Sequence, residues 1–515
     1  MDIVKEKLQT TFHYQKFQKG QEPIIKDILS GNDVLGVLPT GSGKSLCYQL
    51  PATILPRLTV VISPLISLMI DQVRQIKAYY FKEVAALHSF QQMEERKYIL
   101  KDLAKYKLLF LSPELLQQSE IISSFKQVGV SLICIDEAHC ISQWGYDFRP
   151  DYLRLNSVIE KLGTPTILAL TGTATPEIQQ DIKAHLQTPS IKMHIHSIEK
   201  ENMTFVVERS SLSELKKKER LAYLAENLQK PILIYFTSRN KSEEIAAYLA
   251  EKTQFSRVAF YHAGMQSGDR LKIQEQFIYD QLDIICCTSA FGMGINKSNI
   301  RTVIHYHPPT QLESFLQEVG RAGRDGKACL SLQLYSDNDI HIPLSMIDNE
   351  LPTKYEIETI FRQLQQLQRE GKQLPKNNAS IARLFEVDET KWRLLQYQLE
   401  SHQILNDDIQ MYPFDRKKWL AALDLIQTFC EDRLKYKRKK MWEMINWLTS
   451  EACLRHELYK PFKEEVPPRG YQCCSNCGWT ENDFQQTSIS SHAANEKNWQ
   501  RNLKEIFLIK EIDNA

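Results

Sequence analysis

The sequence predicts two tandem α/β domains, each a parallel sheet covered by helices, followed by a mostly helical region that carries a zinc-binding module. Three observations predict this. From residue 24 to about residue 335, short β-rich runs alternate with helical patterns. The rhythm restarts once, after a polar stretch from Ser210 to Arg220. Beyond about residue 340 it stops, giving way to helical periodicity and then to a cluster of four cysteines. A length of 515 residues suits about three domains.

In order, the first sheet is expected from Val34–Val37, Thr59–Ile62, Lys107–Phe110, Leu132–Ile135 and Thr166–Leu170. The second is expected from Pro231–Phe236, Val258–Tyr261, Asp283–Cys287 and Val303–Tyr306, with a cleft between the two domains. Ile357, Ile360, Phe361, Leu364 and Leu367 then fall on one face of a helix. A short helix at Ser380–Phe385, a turn at Glu386–Asp388, a helix through Trp392, Leu395 and Leu399, and alternation from Ile404 to Met411 follow the pattern of a winged-helix module; an all-helical spacer is the plainer reading. The expected boundaries are 1–206 and 207–342 for the α/β domains, 343–415 for the winged-helix-like module, 416–482 for the zinc module and 483–515 for a tail.

Composition narrows the function. With 43% hydrophobic and 25% charged residues the chain is globular, not disordered. Its 64 Lys+Arg against 63 Asp+Glu leave a formal net charge of +1, so a nucleic-acid partner must be held by local basic patches. The N-terminus lacks a basic head followed by an apolar stretch, and no run approaches the ~18 apolar residues of a membrane span. Seven of the eleven cysteines are scattered through the first 430 residues, several inside apolar runs, as for thiols in a reducing compartment. A cytoplasmic protein without a membrane partner is expected, associated with the nucleoid if the source is bacterial.

Leu38 to Ser45 follows a predicted strand and precedes a helix. There Thr40, Gly41, Ser42 and Gly43 form a loop whose backbone N–H groups can approach phosphates, Lys44 reaches the β/γ oxygens, and Ser45 offers its hydroxyl to Mg²⁺. Leu38 stands where the strict pattern has its first glycine. A second strand delivers Asp136 and Glu137 at its C-terminal end, the edge at which α/β sheets bind ligands. Asp136 can hold the Mg²⁺ shell, and Glu137 can orient and deprotonate the attacking water. Arg321 and Arg324, in the glycine-containing segment Gln317–Gly326, can bring cations across the cleft to the γ-phosphate. Each motif alone has a plain reading as a turn or a pair of solvated charges. Together they make NTP hydrolysis the leading function.

With their neighbours these residues resemble the RecQ-type DNA helicases of helicase superfamily 2, over residues ~10–340 and again near the cysteines. Besides the phosphate loop and Asp136 to His139, the matching segments are Phe12 to Gln21, Ser63 to Leu68, Thr171 to Thr175, Tyr235 to Arg239 and Ala290 to Lys297, in the family's order. The resemblance implies RecA-like α/β domains and an ATP- and Mg²⁺-dependent motor that moves 3′ to 5′ on single-stranded DNA and separates duplex. It implies that Gln21 reads the adenine edge with Tyr14 stacking on the base, that Thr171 to Thr173 couple the cleft to the nucleic acid, and that Arg321 and Arg324 include an arginine finger, Arg324 first. Gln18 replaces an Arg, and Ile70 a Lys, that the family usually carries.

Ser142 to Pro150, directly after the acidic box, is similar to the family's aromatic-rich loop. Trp144 and Phe148 offer flat faces to bases, a contact of roughly 1–3 kcal/mol each, with Arg149 as an adjacent cation. Ser63, Ser238 and Arg239 follow predicted strands, where they can grip phosphates without reading sequence. Single-stranded and duplex DNA are therefore the expected partners, with a single-strand-binding protein and repair factors as protein candidates. An RNA-directed or non-unwinding ATPase is the rival enzyme; a DNA-binding scaffold with a vestigial ATP site is the rival from another class.

Four thiols, Cys453, Cys473, Cys474 and Cys477, suit tetrahedral Zn²⁺, with His456 in reserve. The family carries a zinc module of similar pattern but usually places a winged helix after it, whereas here only a short tail follows Cys477. The stripe Arg433–Lys440 reads either as a duplex-phosphate contact or as a solvated helix face.

Overall fold

The computed structural model describes residues 3–486 except 65, 90, 143–148, 210–212, 254–256, 292–296, 376, 407–408, 465, 468 and 471. Among the described residues thirteen strands form two sheets. The first contains β1 (Val34–Val37), β2 (Leu58–Ile62), β3 (Val84–Leu87), β4 (Leu108–Leu111), β5 (Val130–Ile135), β6 (Thr166–Thr171) and β7 (Lys192–Ile195), in the order β3-β4-β2-β5-β6-β1-β7. The second contains β8 (Met203–Arg209), β9 (Ile232–Tyr235), β10 (Val258–Tyr261), β11 (Ile284–Cys287), β12 (Thr302–His305) and β13 (Cys329–Tyr335), in the order β10-β11-β9-β12-β13-β8. Every pairing between these strands is parallel. Parallel strands need crossovers, which here are helices on both faces, so the central strands are buried throughout. Gly36 in β1 lets the helix Gln21–Leu29 close onto the sheet: a Cβ there would lie 3.0 Å from Ile24 Cδ1 and 2.8 Å from Leu170 Cδ2.

All nine expected strands form. Four more, β3, β7, β8 and β13, complete the sheets. Strand β8 straddles the expected 206/207 division and pairs along its whole length with β13, so the second sheet already begins at Met203.

After β13 come helices His341–Glu350, Lys354–Arg369, Asn378–Leu384 and Glu389–Ser401, then an antiparallel bridge between Leu405 and Met411. A 34-residue helix, Arg416–Thr449, follows. Ile357, Ile360, Phe361 and Leu364 face a common core with Trp392, Leu395, Leu399 and Trp419. The far half of the long helix joins the main core, with Met444, Trp447 and Leu448 buried against the second sheet.

The basic stripe on this helix divides between ion pairs and solvent. Lys437 pairs with Glu350 and Arg438 with Asp348, Lys440 reaches the buried Glu313, and Arg433 is itself buried. Lys440 thus fastens the long helix to the second domain, and Lys437 and Arg438 fasten it to the helix His341–Glu350, while Lys435 and Lys439 remain mostly exposed.

Candidate nucleotide and nucleic-acid sites

Sheet order gathers the nucleotide site. Strands β5, β6 and β1 are neighbours, so the acidic pair after β5, Thr171–Thr173 at the end of β6 and the phosphate loop after β1 leave the sheet side by side. The phosphate loop, the acidic pair and Gly172 of that turn line one cleft of about 400 Å³ together with Tyr14, Gln21 and, from the second domain, Gln317, Arg321 and Arg324. Gly41 (φ 89°) and Gly43 (φ 66°) take the left-handed conformations that turn the loop's backbone inward. Gly172 packs closely on the same site: a Cβ there would sit 2.9 Å from Lys44 Nζ and 3.1 Å from Thr40 Oγ1, so a larger residue would push the lysine tip aside.

At the cleft floor, burial and the neighbouring Glu137 push the Asp136 carboxyl up to about 7, while Lys44 pulls it down. A buried carboxylate held in this balance fits a site for a divalent cation, with Ser45 on the same lining. Glu137 has φ 49°, its N–H donating to Asp136 Oδ1 at 3.0 Å, and its carboxylate lies 3.5 Å from His139 Nδ1. The same ring nitrogen is 2.9 Å from Thr171 Oγ1, which also bonds to the Thr173 backbone. The box at the end of β5 is thereby wired to the Thr171–Thr173 turn. The sequence reading gave His139 no such role.

Arg321 and Arg324 reach this cleft from beyond the helix Leu312–Val319. A Cβ on Gly41 would lie 3.1 Å from Arg324 Cγ, and one on Gly320 would lie 3.2 Å from Thr40 Cβ, so the arginine segment rests on the phosphate loop. Burial, and then Arg321, lower the Arg324 guanidinium to about 10. Two like charges held together over a glycine loop are arranged for an anion between them.

Gln21 is buried, and its amide Nε2 donates to the carbonyls of Ser42 and Gly43, both at 3.0 Å, while its Oε1 accepts from Gln18 N–H at 2.9 Å. Both amide hydrogens are engaged, so in this arrangement it can accept from an adenine amine but not donate to the ring. Tyr14 is half exposed, its hydroxyl 3.1 Å from that of Tyr80.

The residues expected at DNA divide. Trp144 and Phe148 lie outside the described residues. Arg149 donates to the Pro64 carbonyl at 3.1 Å, tying the end of that loop to the segment after β2. Ser63, directly after β2, is 1% exposed with its hydroxyl enclosed, and its N–H donates to Leu111 O at 3.0 Å. Ser238 caps the helix Arg239–Lys252, accepting from Lys241 N–H at 3.4 Å, and Arg239 is exposed beside it.

A second cleft, of about 880 Å³, opens at the ends of the adjacent strands β11, β9 and β12. Thr237, Arg239, Thr288, Ser289, His307, Thr310 and Ser314 line it from the second domain, and Asn349, Asp388, Thr390 and Lys437 from the C-terminal helices. Gln317 lines both clefts.

The ligand atoms of Cys453, Cys473, Cys474 and Cys477 all lie within 4.8 Å of one another, with Cys453 and Cys473 sulfurs 3.7 Å apart. Zn–S bonds of about 2.3 Å in a tetrahedron give sulfur–sulfur edges of about 3.8 Å, so the set fits zinc. His456 stands apart from it, bonded to Glu457 and nearly half exposed. The cysteine loop is built onto the edge of the second sheet: Cys474 bridges Phe205 of β8, Ser475 N–H donates to Phe205 O at 2.9 Å, and Thr204 Oγ1 donates to Gln472 O at 2.6 Å.

Among the described residues no helix is long and apolar enough to cross a membrane. Residues 18–182 match the DEAD/DEAH box helicase family, and residues 216–326 match the helicase conserved C-terminal domain. The chain is 40% identical to the probable ATP-dependent DNA helicase RecS of Bacillus subtilis, over 99% of each chain. It is 42% identical to the ATP-dependent DNA helicase RecQ of Haemophilus influenzae, over 64% of this chain and 53% of that one, so it matches just over half of that relative's length. Among solved structures, Mycobacterium smegmatis helicase Lhr bound to ssDNA and AMP-PNP superposes with a TM-score of 0.56 at 16% identity, covering 82% of this chain and 61% of that one. At that identity the likeness speaks for the fold: both parallel-sheet domains are RecA-like.

Proposed function

Because the chain belongs to the RecQ family of ATP-dependent DNA helicases, we propose that it is itself an ATP- and Mg²⁺-dependent DNA helicase, moving 3′ to 5′ along a single strand and unwinding duplex during repair, recombination and replication. The observation that carries this reading is the single cleft in which Lys44, Asp136 and Glu137 of one domain meet Arg321 and Arg324 of the other. Lys44 and the two arginines hold the charge that develops on the γ-phosphate, and Glu137 orients a water and takes its proton. Bound Mg²⁺, held by Ser45 and Asp136, would neutralise phosphate charge there. The like charges of Lys44, Arg321 and Arg324 favour the closed cleft only with an anion between them. Loss of the γ-phosphate therefore loosens the domains, and the bonds linking His139 to Thr171 tie that change to the strand ends that face the nucleic acid.

Hydroxyls at the ends of β9, β11 and β12 supply sequence-tolerant backbone contacts, with exposed Arg239 at a helix N-terminus. The short helices and the Leu405–Met411 bridge support a winged-helix-like unit ahead of the zinc module. The test is ATP-dependent displacement of a labelled strand from duplexes with a 3′ or a 5′ overhang. Displacement from the 3′ overhang alone is expected; equal displacement from both sinks the polarity, and DNA-stimulated hydrolysis without displacement leaves a translocase.

Zinc at the four cysteines is part of the same reading. The purified protein should carry one zinc ion per chain by elemental analysis, and Cys474→Ser should lose it together with several degrees of thermal stability. Full zinc content in that variant would overturn the ligand set.

A further inference from the structure

We propose that the helix Glu389–Ser401 is a bar across the single-strand path, enclosing a polynucleotide strand between itself and the two sheets. The proposal rests on the helicase reading above. At its N-terminal end, Asp388 and Thr390 form part of the wall of the second cleft, across from Thr237 and Thr288 at the strand ends of the second domain. The Asp388 carboxylate there accepts from the N–H groups of Thr390 (2.9 Å) and Lys391 (3.0 Å), so its charge is turned into the helix it caps.

The C-terminal end of the same helix lands on the first domain. Glu400 forms an ion pair with Arg154, whose guanidinium also lies 5.9 Å from the centre of the Tyr397 ring. Both partners are fixed from behind: Arg154 Nη1 donates to Gln117 Oε1 at 2.9 Å, and Gln396 Nε2 donates to Glu400 Oε1 at 2.8 Å. Only 9% of the Glu400 side chain is exposed, so this is a shielded contact and not a loose surface pair. Arg154 follows Arg149 by five residues, and Arg149 donates to the Pro64 carbonyl just after β2, so the landing point belongs to the segment tied to that strand end.

Thirteen helical residues span about 20 Å, enough to bridge the domains in one rigid element. Trp392, Leu395 and Leu399 bury the rear of the helix in the C-terminal helical core, so it cannot lift away alone. In this proposal a strand enters by the second cleft at the N-terminal end of the helix and passes beneath it on the way to the first domain, under a beam fixed there by Glu400 and Arg154 and from behind by the helical core. A free DNA end can thread under it; a strand without ends can enter only if the contact between Arg154 and Glu400 opens.

The test joins the beam to the first domain. Arg154→Cys and Glu400→Cys are introduced together in the full-length protein and linked by a short bis-thiosulfonate that reductant removes, with each single variant treated alike. Hydrolysis of ATP is measured with closed-circular single-stranded DNA and with a linear strand of the same sequence. Before linking, both DNAs should stimulate hydrolysis. After linking, the circle should stimulate no more than a DNA-free control while the linear strand keeps its effect, and reductant should restore the response to the circle. A linked protein that still responds to the circle overturns the proposal, and so does loss of both responses, since the latched beam is held to leave the passage open. No response to either DNA before linking would instead strike the helicase reading itself.

Discussion

Replacing Lys44 by Ala is expected to cut ATP turnover by at least about 100-fold, the scale seen when one preorganised donor to a developing oxyanion is removed. The ammonium lies in the cleft with the floor carboxylate Asp136, whose charge it favours, and close against Gly172. Its loss removes charge from the γ-phosphate and also removes the cation that offsets burial of Asp136. Steady-state hydrolysis with saturating single-stranded DNA measures the effect, and circular dichroism should show an unchanged fold. Turnover near the parent's rate would remove Lys44, and with it the phosphate loop, from the site.

The second large effect is expected far from the nucleotide. Lys440 on the long helix bonds Glu313 Oε1 at 2.8 Å, with side-chain exposures of 6% and 2%. Burial opposes charge on this lysine, yet Glu313 holds its pKa above the ordinary range. Lys440→Met should destabilise the second domain by about 3–5 kcal/mol, because it strands a buried carboxylate. Glu313 lies on the helix Leu312–Val319 that leads into Arg321, and Phe315 of that helix packs 4.6 Å from Trp447 of the long helix. Turnover should therefore fall along with the midpoint of denaturant unfolding. Adding Glu313→Gln should recover most of the lost stability, since neither charge then remains; a double variant as unstable as the sum of the singles would show that the pair is not the source.

Much of this was legible in the sequence because the nucleotide site is local. Strand, glycine loop and helix are consecutive, and the acidic pair directly ends an apolar strand, so periodicity and spacing were enough for β1, β5 and the groups they carry. The four extra strands escaped for separate reasons. Val84–Leu87 contains two alanines and has little β preference of its own, while Lys192–Ile195 lies on an edge with Lys192, Met193 and Ile195 all exposed, so no buried face marks it. Strands β8 and β13 are separated by more than a hundred residues and define each other only by pairing. Side-chain pairs distant in sequence were not legible at all: Lys440 with Glu313 and Arg154 with Glu400 each look like ordinary surface charges until folding brings them together. The same limit hides the burial of Ser63, whose motif suggests a phosphate contact and whose hydroxyl is enclosed just after β2.

The cysteine loop on β8 has a consequence for colloidal behaviour. Strand β8 is the last of its sheet, and its outer side is capped by the bridge from Phe205 to Cys474. Stripping the metal would release that cap and leave a row of unpaired amides and carbonyls beside Phe205 and Val207, a template onto which another chain can add a strand. Chelator-treated protein should consequently gather into soluble oligomers before it loses helical signal, the outcome expected of a metal at the four cysteines that guards against self-association as well as bracing the fold.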